Sequence, residues 1–210
     1  ENTMLAAGNC QTSQAMAIYY NIFEPAERKA AFEQLINLIE EQEYHLDVGV
    51  LGGRVLFHVL TEFGYSDLAF SMITRPDYPS YGNWIARGAT TLWEVFQPEG
   101  SDRIGSLNHH FWGDISSWFT QALSGIRMAP HGEPNEVDFR PSFISRLTHA
   151  EAFHIAPAGR IASAWERDED DVIVLTVKLP STMHGVIRLE SGYVFEDDLS
   201  LIHISEPTRH

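Results

Sequence analysis

Apolar residues recur at three- and four-residue intervals through the first part of the chain and at two-residue intervals near its end, so two structural regimes are expected, changing near Ile126–Pro134. Residues 11–23 start at Thr12 or Ser13 and run into a mixed apolar helix. Pro25 suits a first helical position, and Phe32, Leu35, Ile36 and Ile39 then repeat with helical spacing, predicting a second helix to about Glu43. The glycine-containing stretch HLDVGVLGG (45–53) reads as a loop leading to a third helix over about Arg54–Phe63, ended by Gly64. Ser66 and Asp67 can cap a fourth over roughly 67–74, stopped by Pro76 and Pro79.

Residues 76–106 are rich in proline, glycine and turn formers, and read as a long irregular segment. Its aromatics, Tyr78, Tyr81, Trp84, Trp93 and Phe96, point to an ordered surface built for contact. A fifth helix is expected over about 107–125. Leu107, Phe111, Ile115, Trp118, Phe119, Ala122, Leu123 and Ile126 form its apolar stripe, and Gly113, Ser117 and Ser124 form a second, small-residue face, predicting burial on both sides. Beyond it, 160–167, 171–180 and 184–195 read as strands, with DEDD (168–171) as the turn between the first two. That turn lacks the spaced oxygen ligands and glycine of a calcium loop.

Composition narrows the possibilities. Of 210 residues, 44% are hydrophobic and 11% aromatic, which excludes a disordered chain. The formal charge of −15 repels phosphate backbones and argues against a nucleic-acid partner. No apolar run reaches the roughly 18–20 residues of a spanning helix, so no membrane partner is expected. The single cysteine, Cys10, is expected as a buried small hydrophobe. Both ends of the sequence read as cut. LSLIHISEPTRH (199–210) resembles the conceptual translation of a transposase-type sequencing adapter, so it is expected to be a non-native tail that takes no part in the fold.

Several catalytic signatures are missing: there is no nucleophile elbow, phosphate loop, dinucleotide fingerprint, H-E-x-x-H or paired C-x-x-C. What remains is a carboxylate among aromatics, in NWIARGATTLWEVF (83–96) and SLNHHFWGDISSWF (106–119). Glu94 lies between Trp93 and Phe96. Sugars present hydroxyls and apolar C–H faces together, so aromatic platforms beside carboxylates and amides suit them. A carboxylate in such a place can act as a general base, tuned by neighbours such as Arg87. The bland alternative is a surface Glu94 with Trp84 and Trp93 as core anchors. The adjacent pair His109–His110 points in two directions and chelates metal poorly, so neither a metal nor a cofactor is expected.

The phrases QTSQAMAIYY, HLDVGVLGGR, DLAFSMITRPDYPSYGNWIARGATTLWE and GSLNHHFWGDISSWF, in this order, resemble the C-terminal half of the catalytic domain of bacterial α-L-rhamnosidases, glycoside hydrolase family 78. APAGRIASAWER (156–167) and VKLPSTMHGVIRLESG (177–192) resemble the small β-sandwich that closes these enzymes. The resemblance implies a mainly α fold, with residues 1–126 as the C-terminal half of an (α/α)6 barrel, about five helices, followed by a C-terminal β-sandwich over 127–198. It also implies hydrolysis of terminal α-L-rhamnose with inversion, the substrate being a rhamnose-containing glycoside or polysaccharide. The glutamate of G-A-T-T-x-W-E, Glu94, then maps onto the general base, and the histidine of S-x-N-H, His109, onto a sugar contact. Asn108, Trp84 and Arg87 stand in the same blocks as further substrate-binding candidates.

Inversion needs a second carboxyl group to protonate the leaving oxygen. The family's acid lies in an upstream block with no match here. Asp47 and Asp114 are the only internal substitutes, and neither sits in the right motif. A twelve-helix barrel needs well over ~150 residues, so about half of one is expected, carrying the base without the acid. The alternatives are another (α/α)6-barrel glycosidase or a sugar phosphorylase, which needs a basic phosphate pocket, and a non-catalytic carbohydrate-binding or helical scaffold protein, which would tolerate loss of Glu94. Oligomeric state and export are not legible in these residues.

Overall fold

The computed structural model describes residues 3–102, 105–129 and 132–195; the expectation for 199–210 lies outside the described residues. The chain forms two compact units, Glu1–Phe119 and Thr120–His210. The first is helical: α1 (Gln11–Tyr19), α2 (Arg28–Glu41), α3 (Val50–Glu62), α4 (Ser66–Thr74), α5 (Tyr81–Ala86) and α6 (Ile115–Trp118). No helix among the described residues is long and apolar enough to cross a membrane.

α2 buries Phe32, Leu35 and Ile39 of the predicted stripe together with Ala31 and Leu38, leaves Ile36 part-buried, and begins at Arg28, three residues after Pro25. α1 contributes two buried glutamines as polar struts. Gln14 donates to the carbonyls of Ala31 (2.7 Å) and Met4 (2.9 Å), and Gln11 donates to that of His45 (2.8 Å). Each satisfies backbone groups that would otherwise be buried without partners. Cys10, expected in the core, is only part-buried at the start of α1, with Sγ 3.5 Å from Ser13 Oγ.

The predicted loop 45–53 and the predicted start of the third helix are corrected. α3 begins at Val50 and takes in Gly52 and Gly53. Glycine is a poor helix former, and close packing explains it here: a methyl on Gly52 would stand 2.4 Å from Thr12 Oγ1 of α1. α5 is a short helix inside the segment read as irregular. Ser80 caps it by accepting from the Asn83 N–H at 2.8 Å while donating to the Arg75 carbonyl at 2.6 Å.

The continuous fifth helix over 107–125 does not form. His110–Trp112 is a 3₁₀ turn, α6 spans only Ile115–Trp118, and Phe119–Leu123 is a π turn. Ile115, Trp118 and Ala122 of the expected stripe are buried, whereas Leu107 and Phe111 are exposed and Ile126 belongs to a strand. The cause is competition for backbone: the His109 N–H donates to the Leu92 carbonyl at 2.8 Å, so His109, meant to lie in the first turn of that helix, is held extended.

Among the described residues the second unit holds six strands: β1 (Ile126–Met128), β2 (Glu136–Phe139), β3 (His149–Ala156), β4 (Gly159–Arg167), β5 (Ile173–Lys178) and β6 (His184–Ile187). One sheet has the order β1-β2-β6, with β1 antiparallel and β6 parallel to β2. The other is the antiparallel meander β3-β4-β5. Ile126, Val137 and Phe139 of the first sheet meet Ala156 and Ile161 of the second, with Met183, in one core. In β4, Ile161, Ser163 and Trp165 alternate inward, and Trp165 Nε1 donates to the Leu123 carbonyl at 2.7 Å. The acidic turn joins β4 and β5 as expected, Asp168 Oδ1 accepting from the N–H groups of Asp170 and Val172, each at 2.9 Å. β1, β2 and β3 were not foreseen: the first two are three and four residues long, and HAEAFHIA carries little apolar alternation.

Candidate active site

Glu94 is placed by two irregular segments that lie side by side, residues 91–94 and 106–109. The Glu94 N–H donates to the Ser106 carbonyl at 2.8 Å, the His109 N–H to the Leu92 carbonyl at 2.8 Å, and the Thr91 hydroxyl to the Leu107 carbonyl. The same pairing reaches the side chain: the Ser106 N–H donates to Glu94 Oε2 at 2.8 Å. Among the described residues, Oε1 accepts no hydrogen bond and Glu94 makes no ion pair. Gly105 permits this arrangement, because a methyl there would stand 3.1 Å from Val95 Cγ2 and 3.3 Å from Glu94 Cβ.

His109 stands on the neighbouring segment, part-buried. Its Nδ1 faces the Phe111 N–H at 3.4 Å. The rings of His109 and His110 lie nearly parallel with centroids 5.7 Å apart. No group of three or more His, Cys, Asp or Glu among the described residues is placed to hold a metal ion. Asn108 is exposed, its N–H facing Ser106 Oγ at 3.2 Å.

Behind Glu94 lies an aromatic cluster. Trp84 is 2% exposed, stacked on Phe96 at 4.3 Å and packed against Trp93 at 6.1 Å. In this conformation it offers no face to a ligand and serves as a wall. Tyr81 lies 5.4 Å from Trp84. Burial, and then the charge of Asp114, push its phenol's pKa up, so it stays neutral and donates to the Trp112 carbonyl at 3.3 Å. Arg87 does not reach Glu94 as the sequence suggested: Nη1 donates to the Gln97 carbonyl at 2.6 Å, and the guanidinium lies 5.2 Å over the Trp93 ring. Of the two internal candidates for an acid, Asp114 pairs with His58 at 3.2 Å, and Asp47 is exposed.

Glu94, Asn108, His109 and Arg87 thus gather around one irregular segment, with Trp84 beneath it. Sequence reasoning passed over Ser106 and Trp112. Ser106 stood in the S-x-N-H block without a role, and the only signal for Trp112 was its place three residues after His109. The arrangement supplies a carboxylate with one oxygen held by a backbone N–H and the other without a hydrogen bond among the described residues, a group that can take a proton from water.

Comparison with known proteins covers both units. A model of the bacterial α-L-rhamnosidase six-hairpin glycosidase domain matches residues 1–123, and one of the bacterial α-L-rhamnosidase C-terminal domain matches residues 135–192. An α-L-rhamnosidase of Streptomyces avermitilis is 31% identical over 179 residues, covering 82% of this chain and 17% of the relative. One of Formosa agariphila is 32% identical over 178 residues, covering 82% and 19%. Among solved structures, the α-L-rhamnosidase of Dictyoglumus thermophilum superposes with a TM-score of 0.79 at 29% identity, covering 87% of this chain and 21% of the other. The Streptomyces avermitilis enzyme, solved in complex with L-rhamnose, gives 0.79 at 29%, covering 87% and 19%. The chain spans about a fifth of the length of these relatives. Matched along its helical unit and most of its β unit, this chain belongs to the bacterial α-L-rhamnosidase family.

Proposed function

We propose that this chain supplies the general base of an inverting α-L-rhamnosidase, as the C-terminal half of an (α/α)6 catalytic barrel followed by a small β-sandwich, and that the general acid comes from elsewhere in a longer polypeptide. The substrate is the terminal α-L-rhamnose of a glycoside or polysaccharide. Glu94 takes a proton from the water that attacks the anomeric carbon. The sugar–oxygen bond breaks on the opposite face, where the acid, about 6.5–9.5 Å away, protonates the leaving oxygen. His109 donates through Nε2 to a sugar hydroxyl, Asn108 offers a further amide contact, and Arg87 lines the rim, with Trp84 as the wall behind it.

One observation carries this reading: Glu94 is anchored through Oε2 on the Ser106 N–H, and among the described residues no cation neutralises it. Release of rhamnose from an aryl α-L-rhamnoside by the polypeptide that carries these residues tests it. Glu94→Gln is expected to lower kcat on the order of 10²–10⁴-fold; full activity in that variant would falsify the assignment. The present chain alone is expected to be inert, and turnover by it that Glu94→Gln abolishes would contradict that expectation. NMR of the first-formed anomer checks inversion, and a retained configuration overturns it.

A further inference from the structure

Trp112 has no role in the chemistry above, yet its indole Nε1–H donates to the main-chain carbonyl of Glu94 at 2.9 Å. With this bond the Glu94 peptide is tied on every side: its N–H to the Ser106 carbonyl, its Oε2 to the Ser106 N–H, and its carbonyl to Trp112. The indole is itself fixed. It is 4% exposed and packs against Phe96 at 4.6 Å, Tyr81 at 6.0 Å and Trp84 at 6.1 Å. Its other support is Gly53 of α3, where an added methyl would stand 2.5 Å from the indole Cζ3. Five residues along the same helix, His58 bonds Asp114 at 3.2 Å. α3 therefore grips the turn 110–114 on either side of Gly113.

We propose that Trp112, seated on Gly53, is a positioning residue for Glu94: its N–H sets the peptide plane from which the carboxylate projects. A glycine inside a helix forfeits helix propensity, and the indole seat is what it provides here. The proposal rests on Glu94 being the base. A base displaced by a fraction of an ångström loses rate without losing substrate affinity, because the sugar is held by other groups.

Trp112→Phe keeps the ring in the cluster and deletes the donor. In the rhamnoside-cleaving polypeptide it is expected to lower kcat by roughly ten- to a hundredfold with KM within about twofold. In the present chain, amide exchange at Glu94 and Ser106 should speed up on the order of tenfold, while Leu56 and Leu60 of α3 keep their protection. Gly53→Ala, which leaves the donor but displaces the ring, should lower kcat in the same way. Unchanged kcat and unchanged exchange at Glu94 in Trp112→Phe overturn the proposal. So does exchange that rises equally throughout α3, which would make Trp112 a core residue only. Glu94→Gln separates the two readings: inactive Glu94→Gln with unaffected Trp112→Phe removes the positioning role alone, and active Glu94→Gln removes the base.

Discussion

Asp138 in β2 and Glu94 in the irregular segment are carboxylates drawn away from open water, one in each unit. Asp138 is 6% exposed and meets Arg188 Nε at 3.0 Å and Arg140 Nε at 3.8 Å, so its charge is balanced within the β unit. Glu94 receives one backbone N–H and, among the described residues, no cation. A carboxylate paired with guanidinium groups is tied into the packing of its sheet. One held by a single backbone amide is oriented, with its second oxygen left without a hydrogen bond among the described residues. The surroundings differ accordingly. Asp138 sits on a regular strand, whereas Glu94 sits where two irregular segments interrupt a run of helices, and loops carry chemistry more often than ladders do.

Stability measurements sharpen this contrast. Beside its expected loss of kcat, Glu94→Gln should leave the unfolding midpoint of the chain essentially unchanged; a large drop would make Glu94 structural. Next in size are the two tryptophans that centre each unit. Trp118 donates to the Phe57 carbonyl at 3.0 Å and Thr61 Oγ1 at 2.9 Å, and Trp165 to the Leu123 carbonyl. Trp118→Ala and Trp165→Ala should each cost about 3–5 kcal/mol, read by denaturant unfolding with probes in the two units; a loss under about 1 kcal/mol at either would remove that residue from its core. Asp138→Ala should cost about 2 kcal/mol in the β unit, below the fully buried range because Arg188 and Arg140 are half exposed. It should leave rhamnoside hydrolysis by the longer polypeptide unaffected, and a kcat loss matching that of Glu94→Gln would erase the contrast.

The smallest effect concerns pH. Hydrogen bonds from Arg75, and then from His45, hold the Asp77 carboxyl well below its ordinary value of 3.8. A carboxyl with a depressed folded value stabilises the fold above its unfolded value and loses that contribution as pH falls through the folded one. The difference in unfolding midpoint between the parent and Asp77→Asn should therefore be constant at neutral pH and shrink only below about pH 4. A difference that vanished between about pH 7 and 5 would contradict the assignment.

Much of the helical unit was legible because its information is local. Phe32, Leu35 and Ile39 recur one turn apart, and a helix satisfies its own backbone, so the stripe and the element coincide. The block GATTLWE followed by SLNH pointed to Glu94 and His109 through resemblance. The failures share one cause, which is that partners distant in sequence outweighed local preference. The stripe over 107–125 predicted one helix, but the bonds of residues 106–109 to 91–94 took the backbone that helix needed. Gly52 and Gly53 read as a loop because glycine favours loops, until Thr12 and Trp112 required the space. Trp84, a candidate platform from its motif, became a wall once Phe96 stacked on it.

From the order of its residues alone, this protein's two regimes and its family could be read, since periodicity and motif are properties of neighbours along the chain. Which oxygen of Glu94 is held, that His109 Nδ1 faces a backbone N–H, and that Trp112, seated on a helix glycine, bonds the Glu94 carbonyl were decided only by the folded structure. Each depends on hydrogen bonds and contacts whose geometry exists only after chain closure brings the segments together.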